Sequence, residues 1–150
     1  MTNFEPGRVR IHKRKYLPHW NAEHGTQFVT FRTATIIFDV TIAAFVAETI
    51  THDDEKSYEL LAWCVMPDHV HVVLRTTNTI ASVVQAWKSV SARKINETLN
   101  KTGRVWQEEY YDHLIRDERE LQETIQYILD NPIKAELFEW PHVRSYPERF

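Results

Sequence analysis

The chain has 150 residues, 43% of them hydrophobic and 26% charged. That is one ordinary globular domain, able to bury roughly 70% of its unfolded surface without disulfides or metal staples. The composition excludes disordered, collagen-like and low-complexity classes. Cys64 is the single cysteine, so an intrachain disulfide and any CxxC metal or redox motif are excluded, and a reducing cytoplasmic setting is expected. The basic N-terminal stretch lacks an apolar core and is not expected to be a secretory signal. No apolar run approaches the ~18 residues of a membrane span.

The net charge of −3 hides an alternation of sign. Residues 1–35 and 76–107 each carry net +4, while residues 36–75 carry −5 and 108–150 carry −6. Two basic blocks in an acidic chain can form a local anion-binding surface, or simply two solvated faces.

Residues 27–32 (QFVTFR) are β-branched and aromatic and predict a strand. Ile42, Phe45, Val46 and Ile50 follow helical spacing over about 39–50. Ser57–Val65 predicts a second strand. Met66-Pro67-Asp68 is a turn signal, because proline presets φ and aspartate favours turn positions. His69–Arg75 predicts a third strand, antiparallel to the second. Thr79–Asn100 predicts a helix whose stripe is Ile80, Val83, Val84, Trp87 and Val90. Arg104–Ile115 predicts a fourth strand. Asp117 and Glu120 have capping-box spacing and open a third helix with Leu121, Ile125, Ile128 and Leu129 buried. Pro132 is expected to stop it. Residues 133–150 show no strong pattern and are expected to pack along the surface. The order β-α-β-β-α-β-α predicts an α+β fold: a ferredoxin-like βαββαβ core with a four-stranded antiparallel sheet, plus a C-terminal helix.

The sharpest chemical feature is His69-Val70-His71. Side chains alternate along a strand, so the two imidazoles share one face, ~7 Å apart along the strand, and Val70 enters the opposite layer. They can converge on one ion or stand separately on a solvated face. Tyr127 lies off the apolar stripe of the last helix, where a core-filling tyrosine would not sit. It can also be an ordinary boundary residue. Asn131, four residues on, projects from the same side of that helix, but asparagine before proline is also a common helix terminator.

The stretch Trp63-Cys64-Val65-Met66-Pro67-Asp68-His69-Val70-His71 resembles the signature of REP-associated tyrosine transposases, members of the HUH single-tyrosine transposases and nucleases. That family usually shows asparagine where this chain has Asp68. A second block is similar to the same family: Val105-Trp106-Gln107, then Tyr111 to Asp117, then Tyr127 to Ala135. The resemblance implies a single domain over residues 1–150 with Tyr127 as nucleophile. It implies that His69, His71 and Asn131 hold a divalent metal, Mn²⁺ or Mg²⁺, and imidazole ligands favour Mn²⁺. The implied activity is cutting and rejoining of single-stranded or hairpin DNA through a 5′-phosphotyrosine, by a monomer or a homodimer.

Phosphate contacts are expected from Arg8, Arg10, Lys13, Arg14 and Lys15 at the N-terminus, and from Lys88, Arg93 and Lys94 on the second helix. His113 is a further candidate, with a structural hydrogen-bonded role equally open to it. Two rival readings remain. One is a DNA-binding module that has kept the fold without catalysis. The other is a histidine-triad nucleotide hydrolase, weakened because the third histidine position holds Val73.

Overall fold

The computed structural model describes residues 25–150. Its elements are β1 (Gln27–Thr33), α1 (Val40–His52), β2 (Glu59–Val65), β3 (His69–Arg75), α2 (Ile80–Leu99), β4 (Trp106–Leu114), α3 (Glu118–Lys134) and β5 (Val143–Ser145), closed by a 3-10 turn at Pro147–Arg149. The sheet order is β4-β1-β3-β2-β5, with every pair antiparallel. The first four strands follow the expected split-βαβ order.

Each helix begins where a short polar side chain can satisfy a free amide. Asp39, Thr79 and Asp117 accept hydrogen bonds from the N–H groups of Ile42, Ser82 and Glu120. The apolar stripes then choose sides. Helices α1 and α2 cover one sheet face, where Val29, Phe31, Val70, Val72 and Leu74 meet Val46, Val84 and Trp87. Helix α3 covers the other, where Leu61, Cys64, Val73 and Ile115 meet Leu121, Ile125 and Ile128. A register shift between Leu60 and Ala62 on β2 leaves both Leu61 and Ala62 on the α3 side. Such a bulge turns the following residues over, so Cys64 stands opposite His71.

Four expectations need correction. The sheet has five strands, not four. Val143–Ser145 pairs with β2 and covers an otherwise bare edge; three residues are too few to show alternation in sequence. The C-terminal segment is not merely a surface wrap, because Arg149 is buried. It donates to both Asp54 carboxylate oxygens at 2.8 and 2.9 Å, to Glu55 Oε1 at 2.6 Å and to the Leu60 carbonyl at 2.9 Å.

Pro132 does not stop α3, which continues to Lys134. Proline removes only its own N–H from the ladder. The Ala135 N–H still reaches the Asn131 carbonyl, and the Leu137 N–H reaches that of Pro132. Val90 is 53% exposed, and the α2 stripe runs instead through Ser91 and Ile95.

Candidate active site

One sheet face and one helix bring the chemistry together. Alternation puts Phe28, Thr30 and Arg32 of β1 on the α3 side, and the register sets Thr30 against His71 and Arg32 against His69. Val70 lies fully buried in the opposite layer. The His69 and His71 rings are 4.7 Å apart between centroids.

His71 is 4% exposed. Its Nδ1 lies 2.8 Å from Thr30 Oγ1. Its Nε2 is buried with no hydrogen-bond partner. Burial, with the neighbouring charges of His69 and Arg32, pushes the imidazole pKa down to about 3. The ring is therefore neutral at physiological pH and keeps a lone pair for an ion or a proton. His69 has an oxygen beside each nitrogen: Asp68 Oδ1 lies 2.7 Å from Nδ1, and Asn131 Oδ1 lies 3.1 Å from Nε2.

Helix α3 supplies the phenol. Its buried face holds Leu121, Thr124, Ile125 and Ile128 and leaves Tyr127 beside the stripe, 43% exposed. The Tyr127 ring meets His71 edge-on at 5.4 Å and Phe28 at 6.4 Å between centroids. Lys134 Nζ stands 5.8 Å from the ring centre. One helical turn beyond Tyr127, Asn131 reaches His69. The four residues Tyr127, His69, His71 and Asn131 thus gather at one place. A cleft of about 510 Å³ opens beside His71 and Tyr127, walled further by Phe28, Thr30, Arg32, Tyr111 and Glu123. Among the described residues no three His, Cys, Asp or Glu side chains cluster to hold a metal. The uncharged donors gathered at this place are the two imidazoles and the Asn131 amide.

The remaining candidates lie elsewhere. Arg8, Arg10, Lys13, Arg14 and Lys15 fall outside the described residues. Lys88 is buried on the far side of the sheet, donating to the Gln107, Glu108 and Glu109 carbonyls at 2.7, 3.2 and 3.1 Å. Burial lowers its pKa. Arg93 and Lys94 are exposed on the same α2 helix, and Lys94 Nζ rests 5.3 Å from the Phe45 ring centre. His113 shares the α3 face but bonds Glu120 Oε1 at 2.8 Å. Sequence reasoning overlooked the cleft walls Thr30, Arg32 and Tyr111. Their alternation on two predicted strands was a usable signal; their meeting with His71 depends on inter-strand register.

Fold and site together define a small α+β domain with paired strand histidines facing a helix-borne tyrosine. The chain belongs to the IS200-like transposase family, whose profile matches residues 28–131. Within that family it resembles the REP-associated tyrosine transposases. It is 27% identical over 101 residues to a Haemophilus influenzae protein provisionally named as one, covering 57% of each chain. It is 23% identical over 91 residues to the REP-associated tyrosine transposase of Escherichia coli, covering 58% of this chain and 54% of the relative. The chain spans little more than half the length of these curated relatives. Its fold also matches that of a REP-associated tyrosine transposase bound to a REP hairpin, with TM-score 0.60 and 18% identity, over 89% of this chain and 82% of the other.

Proposed function

We propose that this protein is a metal-dependent single-stranded DNA transposase and endonuclease that cuts and rejoins hairpin DNA through a covalent bond to Tyr127. The observation that carries this reading is the exposed Tyr127 ring 5.4 Å from His71, whose buried Nε2 has no partner. A phenol, a ring nitrogen without a partner and a cleft of about 510 Å³ meet at one point.

The donor set fits a divalent cation. His69 Nε2 and Asn131 Oδ1 stand 3.1 Å apart, and the buried Nε2 of the adjacent His71 ring has no partner. His69, His71 and Asn131 would hold Mn²⁺ or Mg²⁺, with Mn²⁺ favoured by the imidazoles. When bound, the ion supplies Lewis-acid charge to a phosphate oxygen.

The protein's own residues do the rest. The Tyr127 oxygen attacks phosphorus in line; a P–O bond to tyrosine forms and the P–O3′ bond breaks. The phenol proton passes to solvent, and the leaving 3′ oxygen takes up a proton. Arg32 offers paired N–H donors to the non-bridging oxygens. Phe28 and Tyr111 present ring faces to unpaired bases. The phosphotyrosine conserves the ester bond, so attack by another 3′ hydroxyl rejoins the strand without ATP.

The test is incubation of end-labelled hairpin DNA with protein and Mn²⁺, read on a denaturing gel. The wild type gives a protein–DNA adduct and Tyr127→Phe gives none. Equal labelling of the Phe variant would remove Tyr127 as nucleophile. Hairpin binding with no adduct from the wild type would leave only a binding module.

A further inference from the structure

We propose that Asp68 is a positioning residue for the metal site: its carboxylate locks His69 in the tautomer that carries hydrogen on Nδ1, which turns the Nε2 lone pair towards Asn131 and a divalent cation. The inference rests on the metal reading given above, and it concerns a residue outside the ligand set.

Asp68 sits in the turn between β2 and β3, and its backbone is pinned. Its carbonyl accepts from the Thr33 N–H at 3.0 Å and from the Thr33 hydroxyl at 3.3 Å. The side chain turns back so that Oδ1 lies 2.7 Å from His69 Nδ1. A carboxylate can only accept, so Nδ1 carries the hydrogen, and Nε2 of the neutral ring is left as a lone pair. That nitrogen lies 3.1 Å from Asn131 Oδ1, an acceptor. A proton on Nε2 bridges the two in the metal-free protein, and a bound cation would take its place.

An amide at position 68 would behave differently. It can present either oxygen or NH₂ to the ring and so permits both tautomers, whereas the carboxylate permits one and adds negative charge behind the ligand. Partners of this kind orient metal-bound histidines and raise their basicity. His71 is served instead by the neutral Thr30 hydroxyl. The two imidazoles are therefore supported unequally, with His69 the stronger donor.

Two measurements on the whole chain test this. Long-range ¹H–¹⁵N spectra of the metal-free, ¹⁵N-histidine-labelled protein report the tautomer. Wild type shows His69 with hydrogen on Nδ1, and Asp68→Ala shows the Nε2–H form gaining. Mn²⁺ titration, followed by the paramagnetic resonance of the free ion, then reports affinity. Asp68→Ala weakens binding ~10–100-fold, and Asp68→Asn, which keeps the side-chain size, falls between it and wild type. Unfolding curves without metal establish that both variants fold. A wild-type His69 with hydrogen on Nε2 and none on Nδ1, or an Asp68→Ala variant with wild-type Mn²⁺ affinity, overturns the proposal. A wild type with the expected tautomer but no Mn²⁺ binding overturns the metal reading and the affinity claim together.

Discussion

Removing the Thr30 hydroxyl separates the support of the site from its chemistry. Thr30 is 9% exposed and His71 4%, so no bulk water replaces a lost bond between them. In Thr30→Val, His71 stays buried but neither ring nitrogen has a partner, since Nε2 already lacks one, and no hydrogen bond fixes the ring. Losing such a bond costs ~1 kcal/mol net, and ~1–3 kcal/mol where a buried group is left unsatisfied. The added methyl returns ~0.8 kcal/mol of hydrophobic burial. The net loss is then ~1–2 kcal/mol. At ~2–4 °C per kcal/mol for a domain of this size, Tm falls by ~2–8 °C. Circular dichroism melts of the metal-free protein give the number. Thr30→Ser keeps the hydroxyl and serves as the control: it should hold the His71 bond and yield adduct, whereas Thr30→Val should yield less at equal protein. A valine variant that melts with the wild type and labels DNA equally would refute the claim that this hydroxyl holds His71 in position.

The C-terminal clamp predicts a larger effect. Arg149→Ala removes the guanidinium that pairs with Asp54, and breaking a pair this buried costs ~3 kcal/mol or more; an unchanged urea midpoint would show that the last turn is dispensable. Acid stability should report His71. Its pKa is near 3 in the folded protein and near 6.5 in the unfolded chain, so the unfolded state binds the extra proton between those values. The stabilising effect of neutral His71 is thus complete above pH ~6.5 and lost progressively towards pH ~3. Urea midpoints of the metal-free wild type measured downward from pH 7 should fall more steeply than those of His71→Gln, and parallel curves would contradict the burial argument.

How much of this could be read from the chain follows from the range of each interaction. The seven main elements were readable because their signals are local. The β-branched, apolar run within His69–Arg75, a strand buried on both faces, and the 3.6-residue spacing of Leu121, Ile125 and Ile128 each arise within a single element. The same locality placed His69 and His71 on one face and Asn131 one turn beyond Tyr127. It failed at β5, where three residues take their strand conformation from the β2 edge, and at Pro132, where flanking hydrogen bonds and burial outweigh one missing amide. Charge counting says little about the site for a related reason. The basic block at 76–107 suggested a phosphate surface, but Lys88 spends its ammonium on β4 carbonyls, and Arg93 and Lys94 ride on the helix across the sheet from the histidines. A sheet separates its two faces by a full layer of side chains, so a cation's position in sequence says little about which face it serves. Arg32 makes the converse point. It is a lone positive charge on a short strand, unremarkable in any charge profile. The β1–β3 register sets it against His69, and the cleft it lines is the one that Tyr127 enters.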